Sequence, residues 1–175
     1  MKISKKLSVL SIGIALFVVF SLCLQVPVFE NYYLCLGYVV MAVYCFSFGP
    51  LYGTTIGFFG VILYCLLTGG LRGMPGWALG NIIIGIAVGT TCNLTRNFKN
   101  SGLRYIVISI SIITSTAFAM LGIKSIVECY LYNQPFIIRT INNIYVFAAD
   151  VFILILSLPI CHKLNQIIIK HFWKK

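Results

Sequence analysis

The sequence predicts an all-α protein: a single polytopic membrane bundle of six transmembrane helices over residues 1–175, with the N- and C-termini cytoplasmic. Three observations predict it. Of 175 residues 60% are hydrophobic and 9% charged, whereas a water-soluble domain of this size carries about 25% charged residues. The apolar residues gather into runs of the length a helix needs to cross about 30 Å of hydrocarbon. The cations, finally, segregate with the loops that the runs define.

The first expected span, about residues 8–26, follows Lys2, Lys5 and Lys6 and stops at Pro27. A basic start before an apolar run also describes a secretory signal. This run is long for one, however, and no small-x-small cleavage pattern precedes Pro27, so we expect it to stay as a span. The second, about 34–48, is short, and the Phe48-Gly49-Pro50 turn leads directly into the third, about 51–67. A glycine-rich loop at 69–76 precedes the fourth span, about 77–94, and a basic loop at 95–104 precedes the fifth, about 105–123. The chain then becomes polar over 124–143, where the sequence leaves a helical extension, a re-entrant piece and a loop all open. The sixth span, about 144–160, runs into a basic tail.

The net charge of +10, from 13 Lys and Arg against 3 Asp and Glu, would suggest a nucleic-acid partner in a soluble protein. Topology accounts for it instead. With a cytoplasmic N-terminus, Lys2, Lys5, Lys6, Arg96, Lys99, Arg104, Lys163, Lys170, Lys174 and Lys175 lie inside, and only Arg72, Lys124 and Arg139 lie outside. This is the positive-inside bias, reinforced by contact of the cations with anionic lipid headgroups of the bilayer. Nucleic-acid binding therefore loses its motive. The acids Glu30, Glu128 and Asp150 fall on or toward the outer side, with Asp150 the one ionisable residue expected inside a span.

No catalytic or metal-binding residue stands out, and no cofactor is expected. The seven cysteines form no CxxC pair and read as small buried hydrophobes. His162 and His171 lack partners for zinc or proton transfer, and neither a P-loop, a GxSxG elbow nor an HExxH pair is present. What remains is a polar outer face. It holds Asn31 and Tyr32 between spans one and two, Arg72 before span four, and Trp77 and Asn81 four apart on one face of that span. Asn142, Asn143, Tyr145 and Asp150 stand at the start of span six. Rings beside amides and charges suit a flat polar small molecule. Each has a plainer reading too: Tyr and Trp as interfacial anchors, Asn81 as an interhelical hydrogen bonder, Asp150 as the partner of an outer cation. Gly49, Gly53 and Gly57, Gly76 with Gly80, and Gly85 with Gly89 recur at the spacing that lets helices approach closely in lipid.

The stretches IGIALFVV (12–19), LCLGYVVMAVYCFSFGPLYGTTIGFFG (34–60) and PGWALGNIIIGIAVG (75–89) resemble the substrate-binding S components of energy-coupling factor (ECF) vitamin transporters, closest to the riboflavin-type branch. The resemblance implies a six-span bundle that captures a vitamin at the outer face. It also implies docking on a transmembrane coupling subunit that works with two cytoplasmic ATPase subunits. In the family a pair of alanines four apart on span one meets the coupling subunit, and Ser11 and Ala15 stand at the matching positions. The substrate stays open among riboflavin, cobalamin, a queuosine-type base, pantothenate and a pyrimidine precursor. A stand-alone carrier driven by protons through Asp150, and a scaffold subunit without ligand, are the other functions these residues fit.

Overall fold

A computed structural model describes residues 3–23, 26–29, 32–71, 73–98 and 100–172, with only the backbone described for 26–29, 32–33 and 169–172. The order is α1 (Ile3–Cys23), β1 (Val26–Phe29), β2 (Tyr32–Leu34), α2 (Gly37–Phe48), α3 (Pro50–Thr68), α4 (Met74–Leu94), α5 (Ser101–Ala117), α6 (Ser125–Tyr132) and α7 (Phe136–Phe172). Among the described residues, five helical stretches are long and apolar enough to cross a membrane: Ile3–Cys23, Pro50–Thr68, Met74–Asn97, Ser101–Tyr132 and Phe136–Ile168. The apolar Gly37–Phe48, at 12 residues, is shorter.

Two features differ from the expected span boundaries. The first span stops at Cys23, and Pro27 stands within a two-stranded antiparallel hairpin in which Val26 pairs with Leu34 and Pro27 with Tyr33. Proline there removes a helical donor and pushes the preceding residue toward extended geometry. The hairpin packs on α7. The fifth and sixth spans, for their part, lie inside much longer helices. The polar stretch after residue 123 is a helical extension: α5 passes through a π-helical segment, Phe118–Lys124, straight into α6. That helix ends at Asn133, whose φ of 52° is the left-handed cap, and Pro135 precedes α7.

Glycines set the closest helix contacts. A Cβ on Gly85 would come within 2.7 Å of the Thr54 backbone, and one on Gly89 would overlap the Pro50 backbone, so α4 lies directly on α3. Gly49, at φ 93°, supplies the turn in which Pro50 opens α3. The core between the helices is built from Phe17, Tyr38, Met41, Ile56, Val61, Ile84, Ile108, Ile112, Met120 and Leu154. Several helix hydroxyls find internal acceptors: Thr91, Thr114, Ser115 and Thr140 each donate to the carbonyl four residues back, and Thr91 also meets Ser111 across α4 and α5 at 2.9 Å. Lipid offers them no water.

This contact predicts a pair of opposite outcomes. Gly89→Ala forces α3 and α4 apart and should destabilise by about 1–3 kcal/mol, lowering the thermal unfolding midpoint in detergent by roughly 3–10 °C. Gly80→Ala, whose Cβ would meet nothing closer than 3.6 Å, should leave the midpoint unchanged or raise it.

Candidate functional site

Two groups of buried polar side chains meet in the interior of the bundle. The first is centred on Tyr38 of α2, which is fully buried. Its hydroxyl accepts the Trp77 Nε1–H at 2.8 Å and donates to Asn81 Oδ1 at 2.8 Å. Asn81 Nδ2 in turn donates to the Gly57 carbonyl at 3.1 Å. One hydroxyl thus ties α2 to α4, and one amide ties α4 to α3. The Asp150 carboxyl group of α7 shares a hydrogen bond with the same hydroxyl, so four helices converge there. The Trp77 ring lies edge-on to Tyr64, centroids 5.7 Å apart.

The second group follows from the π-helical segment. Its extra residue per turn shifts the register, and Lys124, Ser125 and Glu128 turn inward. Lys124 Nζ stands 3.8 Å from Glu128 Oε1, with both side chains under a tenth exposed. Gly76 makes room for Lys124: a Cβ there would sit 3.2 Å from Lys124 Cγ and from its carbonyl. Asn143 of α7 donates through Nδ2 to Glu128 Oε2 and to Ser125 Oγ, each at 3.0 Å, and Ser125 donates to the Met120 carbonyl at 3.2 Å. Asp150 lies within electrostatic reach of Lys124 as well as of Tyr38, which joins the two groups. Toward the end of α6, the Arg139 guanidinium stacks on Tyr132, 4.0 Å from the ring centroid. A cleft of about 370 Å³ opens beside it among Leu71, Pro75, Leu131 and Tyr132.

The residues expected to form a site thus divide. Trp77, Asn81, Asn143 and Asp150 are drawn into the interior network; Asn81 also proves to be the interhelical hydrogen bonder of its plainer reading, with both ends of its amide engaged. Asn142 is half-buried beside Asn143, whereas Tyr145 is 44% exposed on the far side of α7. Asn31 and Arg72 lie outside the described residues, as does the side chain of Tyr32. Ser11 and Ala15 are exposed one turn apart on α1, beside exposed Ile12, Leu16 and Val19 and opposite buried Gly13 and Phe17. Two expectations need correction. Asp150 is not alone at depth, because Lys124 and Glu128 are buried in a helix long enough to span. Nor does Lys124 stand free on the outer surface. Tyr38, Lys124, Ser125 and Glu128 were absent from the expected site. The Lys124–Glu128 spacing of four was the available signal for a helical pair; nothing in the sequence marks Tyr38 apart from other span tyrosines.

A family model described as ECF-type riboflavin transporter, S component, matches residues 2–166 of the chain. UPF0397 proteins from two strains of Aliivibrio fischeri are 28% identical over 138 residues, covering 76% of this chain and 74% of theirs. A UPF0397 protein of Vibrio atlanticus is 28% identical over 137 residues, covering 76% and 75%. Among solved structures, the S-component for biotin from an ECF-type ABC transporter superposes with a TM-score of 0.67 at 16% identity, covering 95% of each chain. At that identity the likeness is one of fold.

The buried ion pair gives a sharp stability prediction. Lys124→Met strands the Glu128 charge and should cost about 3–5 kcal/mol, a fall of roughly 10 °C in thermal midpoint. Combining it with Glu128→Gln should restore most of the loss. A single variant no less stable than the double would show that the two groups are not paired.

Proposed function

Because the chain belongs to the family of ECF-type riboflavin transporter S components, a membrane-integral transport family and not an enzyme family, we propose that it captures a small vitamin-like molecule in the polar interior around Asp150 and passes it on through a coupling module. The observation that carries this reading is the convergence of Trp77, Tyr38, Asn81, Lys124, Glu128, Asn143 and Asp150 from α2, α4, the α5–α6 helix and α7. Ionisable groups at membrane depth are costly and ordinarily face a cavity or a functional path. A bundle held together by packing alone has no need of three.

In this reading both termini are cytoplasmic, which places the hairpin, the α3–α4 loop and the α6–α7 turn on the outer side, where the cleft beside Tyr132 is the mouth. Aromatic rings at Trp77, Tyr64 and Tyr38 supply stacking and the amides and acids supply orientation. Release requires energy that this chain does not generate, so we assign it to a transmembrane coupling subunit with two ATPase subunits. The exposed strip of Ser11 and Ala15 on α1 is the contact surface: two small side chains one turn apart let another helix approach.

Two measurements test this. Thermal unfolding of the purified protein against a panel of vitamins and their precursors should show a midpoint rise with one class of compound, as binding to the folded state alone requires; no rise with any of them removes the capture step. Ala15→Leu should abolish uptake in cells that carry the coupling module, while ligand binding by the purified variant stays intact. Loss of both together would move α1 from docking to folding.

A further inference from the structure

The hydrogen bonds of the buried network do not balance, and the imbalance has a sign. Asn143 spends both Nδ2 protons, on Glu128 and on Ser125, which also fixes its amide orientation because a carboxylate only accepts. Asn81 spends an Nδ2 proton on Gly57, Trp77 spends its one proton on Tyr38, and Ser125 spends its one on Met120. Tyr38 has a single proton, directed at Asn81 Oδ1 while Asp150 competes for it. The buried side-chain atoms of α7 left without a hydrogen-bond partner are Arg139 Nε, a donor on a guanidinium that stacks on Tyr132 a turn above the network, and, within the network itself, Asn143 Oδ1 and Asp150 Oδ2, both acceptors on residues no more than 3% exposed. Charge has the same sense: among the described residues the buried Lys, Arg, Asp and Glu side chains are one cation, Lys124, and two acids, Glu128 and Asp150. Asn143 and Asp150 are seven residues apart, which puts them on one face of α7 about 10 Å apart along its axis.

A buried acceptor without a donor is expensive to leave unmade, and here two of them face the interior on one stripe. Resting on the reading of this region as the capture site, we infer that its ligand is a planar nitrogen heterocycle whose edge donates hydrogen bonds. The class is an amino-substituted pyrimidine ring, alone or fused, such as a 2-amino-4-oxo pteridine or purine. A ring N–H next to an exocyclic amino group offers adjacent protons to Asp150 Oδ2, and where the fused ring carries an N–H of its own, as in a purine or a reduced pteridine, that proton is available to Asn143 Oδ1. A dioxopyrimidine edge, as in a flavin, has one N–H between two carbonyl oxygens. Those oxygens would point lone pairs at the Asp150 carboxylate, which already lacks donors. The site therefore selects for the amino-bearing edge and against the dioxo edge, whatever vitamin the family as a whole is described by.

The test uses full-length protein in detergent and compares rings that differ in the amino group: pterin against lumazine and guanine against hypoxanthine, with riboflavin as the dioxo tricycle. At least one amino-bearing ring should bind, by equilibrium binding and by thermal shift, about tenfold or more tighter than its counterpart. Losing a hydrogen bond to a charged acceptor has that size. Asp150→Asn, which presents an N–H in place of an acceptor, should reduce the preference about tenfold; the wild-type ratio stands as evidence even if this variant does not fold. Lumazine or riboflavin binding as tightly as pterin overturns the inference and leaves the capture reading standing. Failure of every amino-bearing ring to bind overturns it as well. Co-purification with the coupling module then separates the two ideas: a protein that still docks keeps its place as an S component with another ligand, and one that does not loses both.

Discussion

Burial of the Lys124–Glu128 pair is the constraint on which the outer half of this bundle depends. Two charges at membrane depth have no water to solvate them, so the protein must supply every partner. The π-helical turn at 118–124 rotates both residues inward, Gly76 leaves space where any side chain would press on the lysine, and Asn143 reaches from α7 to satisfy the remaining carboxylate oxygen. Ser125 closes the circuit. None of these features makes sense singly. A regular α-helix through 118–124 would turn the pair toward lipid, and a larger residue at position 76 would press α4 off the π-helical segment at Lys124.

A second consequence concerns rigidity. Tyr38 and Asn81 join α2, α3 and α4 by directed bonds, and the glycine contacts of α4 on α3 leave little freedom between those two helices. The outer face thus has one stiff wall, α3 with α4, and one wall built from the long α5–α6 and α7 helices, whose polar side chains carry the unmet acceptors. α1 is set apart: its buried face is a narrow line of Val9, Gly13, Phe17, Val18 and Ser21, and beyond the basic first turns the remainder is mostly exposed and, apart from Ser11, apolar. Polar function at one end and a smooth apolar helix facing outward are what a protein needs if it binds a polar molecule inside and meets a membrane partner outside.

How far the sequence reached varies by residue. Asp150 and Asn81 were legible because a polar group inside an apolar run has to face something other than lipid. Glu128 and Lys124 were placed outside, since the polar composition of 124–143 hides a helix whose inward face is the polar one. Tyr38 was invisible: a tyrosine within LGYVVMAVY looks like core, and only the approach of Trp77 and Asn81 from α4 and of Asp150 from α7 gives its hydroxyl a role.

The sequence by itself determined the membrane class, the helix-rich architecture, the close-packing glycines and the family resemblance. The first three follow from composition and spacing along one chain, which lipid reads locally: apolar length sets whether a helix spans, and small residues at intervals of four set where another helix comes near; the resemblance rests on the particular stretches at 12–19, 34–60 and 75–89. Only the tertiary structure decided which polar groups meet. The burial of the Lys124–Glu128 pair under Gly76 and against Asn143, and the acceptors left over at Asn143 and Asp150, depend on side chains distant in sequence. Whether a buried donor or acceptor is satisfied is a property of the whole set around it and of no residue alone.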